Sequence, residues 1–298
     1  MPLWSDLEEI RLRLGRPLAL RGRRGDCFLG ESGEAASAAE AYRPQRSDLE
    51  RALQLISSSS LYAFAEELRS GYITIPGGHR VGLCGQAVVE GGRVVRLKHI
   101  TGLNYRVARQ IRGVARPYIR FFLDERRRRV CHTLLVAPPR GGKTTFLRDL
   151  ARCLSSGARE SGLAGFNVAV VDERSEIAGS FQGMPQLDVG ERTDVLDACP
   201  KAEGMMLLLR SMGPEIIVTD EIGRPEDAAA IEEVIHAGVS VVATAHGSSL
   251  EELRARPALR RLLDEAVFEK ALLLGCSRGP GTVEQLCDLR KDKLARRA

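Results

Sequence analysis

The sequence predicts an α/β fold built on a mainly parallel sheet, preceded by a smaller mixed α+β domain. Three observations predict it. From Cys131 onward, apolar runs of strand length alternate with helical stretches. One of those strands runs into a glycine-rich turn that opens a helix. Before residue 127 the pattern differs: short alternating runs are separated by Gly and Pro clusters, as in hairpins.

Composition frames these elements. A chain of 298 residues suits one or two domains, and 44% hydrophobic residues suffice for a core. The formal net charge of +5 is mildly basic. It suits nucleotide, acidic lipid or nucleic acid without choosing among them. Seven cysteines, an odd number with no C-x-x-C pair, read as reduced thiols of a cytosolic protein. None of the five histidines has zinc-site spacing, so no zinc is expected. Met1-Pro2-Leu3-Trp4-Ser5-Asp6 turns charged at once, unlike a secretory signal. No window reaches the about 18 apolar residues of a membrane span. A cytoplasmic protein is therefore expected, peripheral if it works at a membrane.

In chain order, Ile10, Leu12 and Leu14 alternate with Arg11 and Arg13, the period of a half-buried strand, and Gly15-Arg16-Pro17 ends it. Residues 30–40 read as a loop. Residues 48–69 read as helical in two pieces, broken at the serines 57–60, with Gly71 as stop signal. Tyr72-Ile73-Thr74-Ile75, Pro76-Gly77-Gly78 and the run 80–85 form a hairpin, and a second turns at Gly91-Gly92. Residues 114–126 read as a helix, followed by four arginines at 126–129. That run suits a solvated helix end, a linker or contact with an anionic surface. The domain boundary is placed here, giving 1–127 for assembly or docking and 128–298 for the α/β domain. In the latter, elements are expected at 132–137, 143–156, 167–172, 203–211, 215–220, 226–236 and 239–245. A hairpin at Gly279-Pro280-Gly281 and a charged tail from Lys291 follow.

The chemistry starts at T-L-L-V-A-P-P-R-G-G-K-T-T, residues 133–145. Strand, glycine turn and helix in that order make a phosphate-binding loop. Pro139, Arg140, Gly141 and Gly142 form the turn, whose backbone N–H groups can close on phosphate oxygens. Lys143 reaches the β and γ phosphates of ATP, Thr144 can ligate Mg²⁺, and Thr145 adds a donor in the first helical turn. Ala137 stands where this motif usually has its first Gly. Residues 215–221, E-I-I-V-T-D-E, form an apolar strand ending in two carboxylates: Asp220 to hold Mg²⁺ and Glu221 to orient the attacking water. A second strand, 168–172, ends in Asp172-Glu173, and a third ends at His246. Both are expected beside the γ-phosphate. Arg210 and Arg192 are candidates for an arginine finger acting from a neighbouring subunit.

The blocks P-P-R-G-G-K-T-T-F-L-R-D-L-A-R, V-V-D-E-R-S-E-I-A-G, D-V-L-D-A-C-P-K-A-E-G-M, L-R-S-M-G-P-E-I-I-V-T-D-E-I-G-R and T-A-H-G resemble the stage III sporulation AA family. E-I-R-L-R-L-G-R-P-L and G-Y-I-T-I-P-G-G-H-R-V-G-L-C-G extend the resemblance over about residues 9 to 275. That family is similar to the ATPases of type II and type IV secretion, with Walker A, acidic, Walker B and His boxes. They match Gly142-Lys143-Thr144, Asp172-Glu173, Asp220-Glu221 and His246. The resemblance implies a RecA-like P-loop ATPase domain and a hexameric ring. It also implies membrane-embedded sporulation channel proteins as partners, and a place at the mother-cell cytoplasmic face of a channel to the forespore. Two other readings share the core: a DNA-handling helicase or loader, and a nucleotide-binding scaffold without turnover. The first lacks the aromatic–basic interleaving of a single-strand platform, so nucleic acid is not the expected partner.

Overall fold

The computed structural model describes residues 6–22, 25–35, 37–56, 71–157 and 164–291. The chain forms two compact units, Met1–Arg109 and Gln110–Ala298.

The first unit is one antiparallel sheet with a helix. Strands β1 (Leu7–Arg13), β2 (Ala19–Gly22), β3 (Gly25–Gly30), β4 (Gly33–Ala35), β5 (Tyr72–Ile75), β6 (His79–Glu90) and β7 (Arg93–Arg106) run in the order β4-β3-β2-β1-β7-β6-β5. Register explains the alternation read in the sequence. Leu20, Ile10, Tyr105, Val81 and Ile73 stand in one row across five strands, and Leu12, Leu103 and Leu83 in another. Leu20, Val81, Ile73 and Leu103 are buried. Intervening residues such as Arg11, Arg13 and Arg106 fall on the opposite face. Helix α1 (Arg46–Ile56) lies against β7 and buries Leu49 and Ile56. The break expected at 57–60 and the second helical piece after it, to residue 69, lie outside the described residues. The loop expected at 30–40 includes a short edge strand, β4, paired to β3.

The second unit holds a seven-stranded sheet in the order β12-β11-β13-β14-β10-β15-β16. Its strands are β10 (Thr133–Ala137), β11 (Val168–Asp172), β12 (Thr193–Asp197), β13 (Ile216–Thr219), β14 (Ser240–His246), β15 (Lys270–Gly275) and β16 (Thr282–Asp288). All pairs are parallel except β15–β16. Strands β10, β11 and β13 are wholly buried, which is why they read as unbroken apolar runs. One face packs Phe146, Leu147, Leu150 and Leu154 of α3 (Lys143–Ser156). The other packs α4 (Lys201–Ser211), α5 (Pro225–His236), α6 (Leu250–Arg254) and α7 (Pro257–Asp264).

The helix expected at 114–126 is instead a 3-10 turn (Arg116–Tyr118), a single α turn α2 (Ile119–Phe122), and a hairpin of β8 (Leu123–Asp124) with β9 (Arg129–Val130). Asp149 of α3 pulls this segment in by accepting the N–H groups of Gly113 and Ala115 at 3.0 and 2.8 Å. Ala115, Ile119 and Phe122 then join the α3 core. The contact boundary accordingly falls at 109/110, and residues 110–127 pack with the second unit. Of the four arginines, the first three lie in the hairpin turn, with Arg128 at φ +51°, and Arg129 opens β9 and pairs to Glu269 at 2.6 Å. Strand β12 was not expected: Asp194 and Asp197 interrupt its apolar pattern, and it is the sheet's edge.

Candidate functional site

The parallel strands deliver their C-terminal ends to one edge of the sheet, where open α/β sheets collect their chemistry. Strand β10 ends at Ala137, the turn 138–142 follows, and α3 begins at Lys143. The helix start has no side-chain cap. Its first N–H groups are therefore donors to an incoming anion. Arg140 and Gly142 take φ of +60° and +81°, folding the turn back on itself, with Pro139 and Arg140 outermost and exposed. A Cβ at Gly141 would lie 3.0 Å from the Ala137 Cβ. The Ala137 methyl is thus accommodated because Gly141 has no side chain. A Cβ at Gly142 would lie 2.7 Å from the backbone of Gly281, and Gly281 N–H donates to Gly141 O at 3.2 Å. The β15–β16 hairpin therefore braces the turn.

Lys143 is buried, and its Nζ lies 3.3 Å from Ala137 O, 3.5 Å from Pro138 O and 3.9 Å from Glu221 Oε1. Burial lowers its pKa, against the opposing charges of Glu221, Asp220 and Glu176. Thr144 and Thr145 follow in the first helical turn, both half-buried. Register places His246 opposite Ala137, and Gly247 N–H donates to Ala137 O at 3.1 Å. His246 is exposed at that strand tip, beside the turn.

Strand β13 ends immediately before Asp220-Glu221. Glu221 has φ +40°, held there by Thr244: its N–H donates to Thr244 Oγ1 at 2.8 Å, and the next N–H, of Ile222, to Thr244 O at 2.8 Å. This turn swings the Glu221 carboxylate out between Lys143 and Arg174, the latter at 3.5 Å. Asp220, in contrast, is 2% exposed. Burial raises its pKa to about 7, with Lys201 pulling it down and Asp172, Glu176 and Glu221 pushing it up. Its Oδ1 has no hydrogen-bond partner, and Lys201 Nζ stands 3.8 Å away. A buried acceptor without a donor, in a field of carboxylates, fits a divalent cation and its bound water. Thr144 and Asp220 can hold Mg²⁺ there.

The other acidic pair splits in two. Asp172 is fully buried and accepts the N–H groups of Glu176, Ile177 and Ala178 at 2.8 to 3.0 Å. Burial raises its pKa against those hydrogen bonds. Both its oxygens are thus committed to the 173–178 loop. Arg148 of α3 grips the same loop from the other side, donating to Glu176 O at 2.7 Å and to Ile177 O. Glu173 pairs with Lys201, which is buried and links it to Asp220. Arg192 and Arg210 are not at this edge. Arg192 donates to Ser155 O at 3.2 Å, at the far end of α3 from Lys143. Arg210 lies exposed in the last turn of α4, nine residues from Lys201 at its start.

Lys201 and Arg148 were missed in the sequence, yet Lys201 left a signal. It shares the i, i+3, i+4, i+7 stripe with Gly204, Met205 and Leu208, all buried. A cation inside an apolar stripe needs an anion across the interface. Gly204 lets that stripe seat closely, since a Cβ there would lie 2.6 Å from Val171 Cγ1.

Comparison with known proteins agrees with this architecture. The family described as sporulation stage III, protein AA matches residues 2–294. Stage III sporulation protein AA of Bacillus subtilis (strain 168) is 44% identical over 293 residues, spanning 98% of this chain and 90% of that one. Among solved structures, the pilus retraction motor PilT with bound ADP superposes with a TM-score of 0.61 at 14% identity, over 97% of this chain and 84% of that one. The Yersinia pseudotuberculosis ATPase DotB gives 0.58 at 12%, over 97% and 77%. At these identities the likeness shows a shared fold, the RecA-like α/β core.

Proposed function

The chain belongs to the sporulation stage III, protein AA family, and from that premise we propose that it is a Mg²⁺-dependent ATPase motor. It works as a homo-oligomeric, hexameric ring at the cytoplasmic face of a membrane. There it energises a mother-cell-to-forespore channel built by membrane-embedded partners. The observation that carries the catalytic part is the Asp220 Oδ1 left buried without a donor one residue from Glu221, beside Lys143. No helix among the described residues is long and apolar enough to cross a membrane.

In this reading the turn 139–142 and the uncapped start of α3 hold the ATP phosphates. Lys143, now satisfied by two carbonyls and Glu221, turns its ammonium to the β and γ oxygens and stabilises their negative charge. Phosphate arriving at Lys143 frees Glu221, which orients the attacking water and accepts its hydrogen bond. Thr144 and Asp220 would hold Mg²⁺, which would supply charge neutralisation at the phosphate oxygens. His246 stands at the strand tip where it can report γ-phosphate occupancy to the turn. Asp172 and Glu173 act one layer out: Asp172 fixes the 173–178 loop, and Glu173 holds Lys201. The stabilising arginine comes from a neighbouring subunit, with Arg210 and Arg192, both exposed, as the two candidates.

The test is Mg²⁺-dependent ATP hydrolysis against protein concentration, with Lys143→Ala and Glu221→Gln, with and without single-stranded DNA. Activity that rises with concentration, disappears in both variants and ignores DNA supports the motor. DNA-stimulated hydrolysis would replace it by a DNA-handling ATPase. ATP binding with no turnover above Glu221→Gln would leave a nucleotide-binding scaffold.

A further inference from the structure

The first unit carries a cleft that the ATPase reading does not use. It has a volume of about 470 Å³ and is lined by Arg11, Arg13, Arg16, Arg106 and Asn104. Its origin is the register of three strands. Arg11 of β1 stands opposite Asn104 of β7, which stands opposite Gly82 of β6. Arg13 stands opposite Gly102 in the same way. Side chains two apart on a strand share a face, so Arg11 and Arg13 rise together, their Cα atoms about 7 Å apart. Of the four floor positions beside them, two are glycines, Gly82 and Gly102, next to Asn104 and Cys84.

The two floor glycines are not required by the backbone. Neither has a positive φ. A Cβ at Gly82 would meet nothing closer than Asn104 at 3.8 Å, and one at Gly102 nothing closer than Cys84 at 3.5 Å. Their effect is to leave room. The charge around that room is unbalanced. Glu9 engages Arg11 at 2.6 Å and Arg106 at 3.7 Å. Arg13 and Arg16 have no ion pair among the described residues. One more group lacks a partner: Asn104 Oδ1 is buried with no hydrogen-bond donor. The cleft therefore offers guanidinium forks for an oxyanion and one acceptor for a neutral donor, in a volume suited to a small molecule.

We propose that this cleft binds the phosphate ester of a small polyol, its phosphate between Arg13 and Arg16 and a hydroxyl donating to Asn104. Two sources share that chemistry: a free polyol phosphate and the glycerol-phosphate headgroup of an anionic lipid. A guanidinium holds a phosphate bidentately and stays charged at every working pH, so recognition weakens with salt and hardly with pH.

The test titrates sn-glycerol 3-phosphate into the full chain by calorimetry at low and high salt. Beside it, the chain is co-sedimented with phosphatidylglycerol and with phosphatidylcholine vesicles. Wild type, Arg13→Gln, Gly82→Val and Lys143→Ala are compared, after thermal melts show that Gly82→Val folds as wild type does. Should it not fold, Arg13→Gln carries the comparison alone. The expected result is salt-sensitive binding that Lys143→Ala leaves intact, Arg13→Gln weakens about tenfold and Gly82→Val removes by filling the floor. Binding of glycerol phosphate assigns the free ligand. Binding of phosphatidylglycerol vesicles alone, lost in the same variants, assigns the headgroup. The proposal is overturned if neither probe binds, if Arg13→Gln binds as wild type does, or if Lys143→Ala abolishes binding. Tighter binding of a poly-glutamate peptide would overturn it in favour of an acidic protein partner.

Discussion

The two sheets of this protein handle charge in opposite ways. In the second unit, Lys143, Arg148, Asp149, Asp172, Lys201, Asp220, Asp227 and Glu269 are all buried. In the first unit, Thr74 is the only polar residue among the described ones that is buried to that degree, and the arginines of β1 and β7 stay on a solvated face. The parallel sheet has helices on both faces, so charge buried at its strand ends and in its helices must be held by backbone and counter-charges. The antiparallel sheet leaves one face open, and water does most of that work. The difference teaches where removing a charge should matter.

Lys143→Ala should show the largest effect, a fall in Mg²⁺-dependent ATP hydrolysis of at least about a hundredfold with the melting temperature little changed. Steady-state phosphate release measures it; activity within a few fold of wild type would remove Lys143 from the chemistry. Lys201→Met comes next. It leaves Glu173 and Asp220 without their cation, and breaking a buried pair from one side costs about 3 kcal/mol or more. Urea unfolding should show it, and an unchanged midpoint would mean the pair is solvated. Asp172→Ala strands three backbone N–H groups and should cost about 2 to 3 kcal/mol. If Asp172→Asn instead retains stability but loses ATP discrimination, the residue is a phosphate sensor and not an anchor.

A pH dependence separates the units further. Burial lowers the pKa of His132 to about 4, with Glu269 opposing and Arg129 and Arg290 adding to the shift. Its Nδ1 accepts the Val241 N–H at 3.3 Å, which requires the neutral ring. The unfolded chain therefore binds a proton that the folded one refuses. Stability should be full above about pH 6.5 and fall as pH drops toward 4. In His132→Asn that slope should be shallower; an equal slope in both proteins would assign the acid loss elsewhere. The smallest effect is expected in the first unit. Arg106→Gln loses an exposed pair with Glu9 and should move the unfolding free energy by no more than about 0.5 kcal/mol.

Several parts of this picture were legible beforehand because they are local. The alternation of Ile10, Leu12 and Leu14 with arginines, the hairpins at 76–78 and 91–92, and the strand–turn–helix at 133–145 need only neighbouring residues. The helix misread at 114–126 shows the limit. Its apolar spacing is real, but Pro117 and the grip of Asp149, more than thirty residues away, break it into a turn and a hairpin. Strand β12 fails the same way, since its pairing with β11 decides it and its own composition does not.

The sequence by itself determined the fold class, the strand–turn–helix at 133–145 and the identity of the carboxylates at the strand ends, because motif and periodicity are properties of contiguous residues. Only the tertiary structure decided what each carboxylate faces. Asp172 and Asp220 both end buried strands, yet one meets three backbone donors and the other has an oxygen that meets none. That outcome depends on which loop folds over which strand end, and on Arg148 and Lys201 arriving from separate helices to meet them.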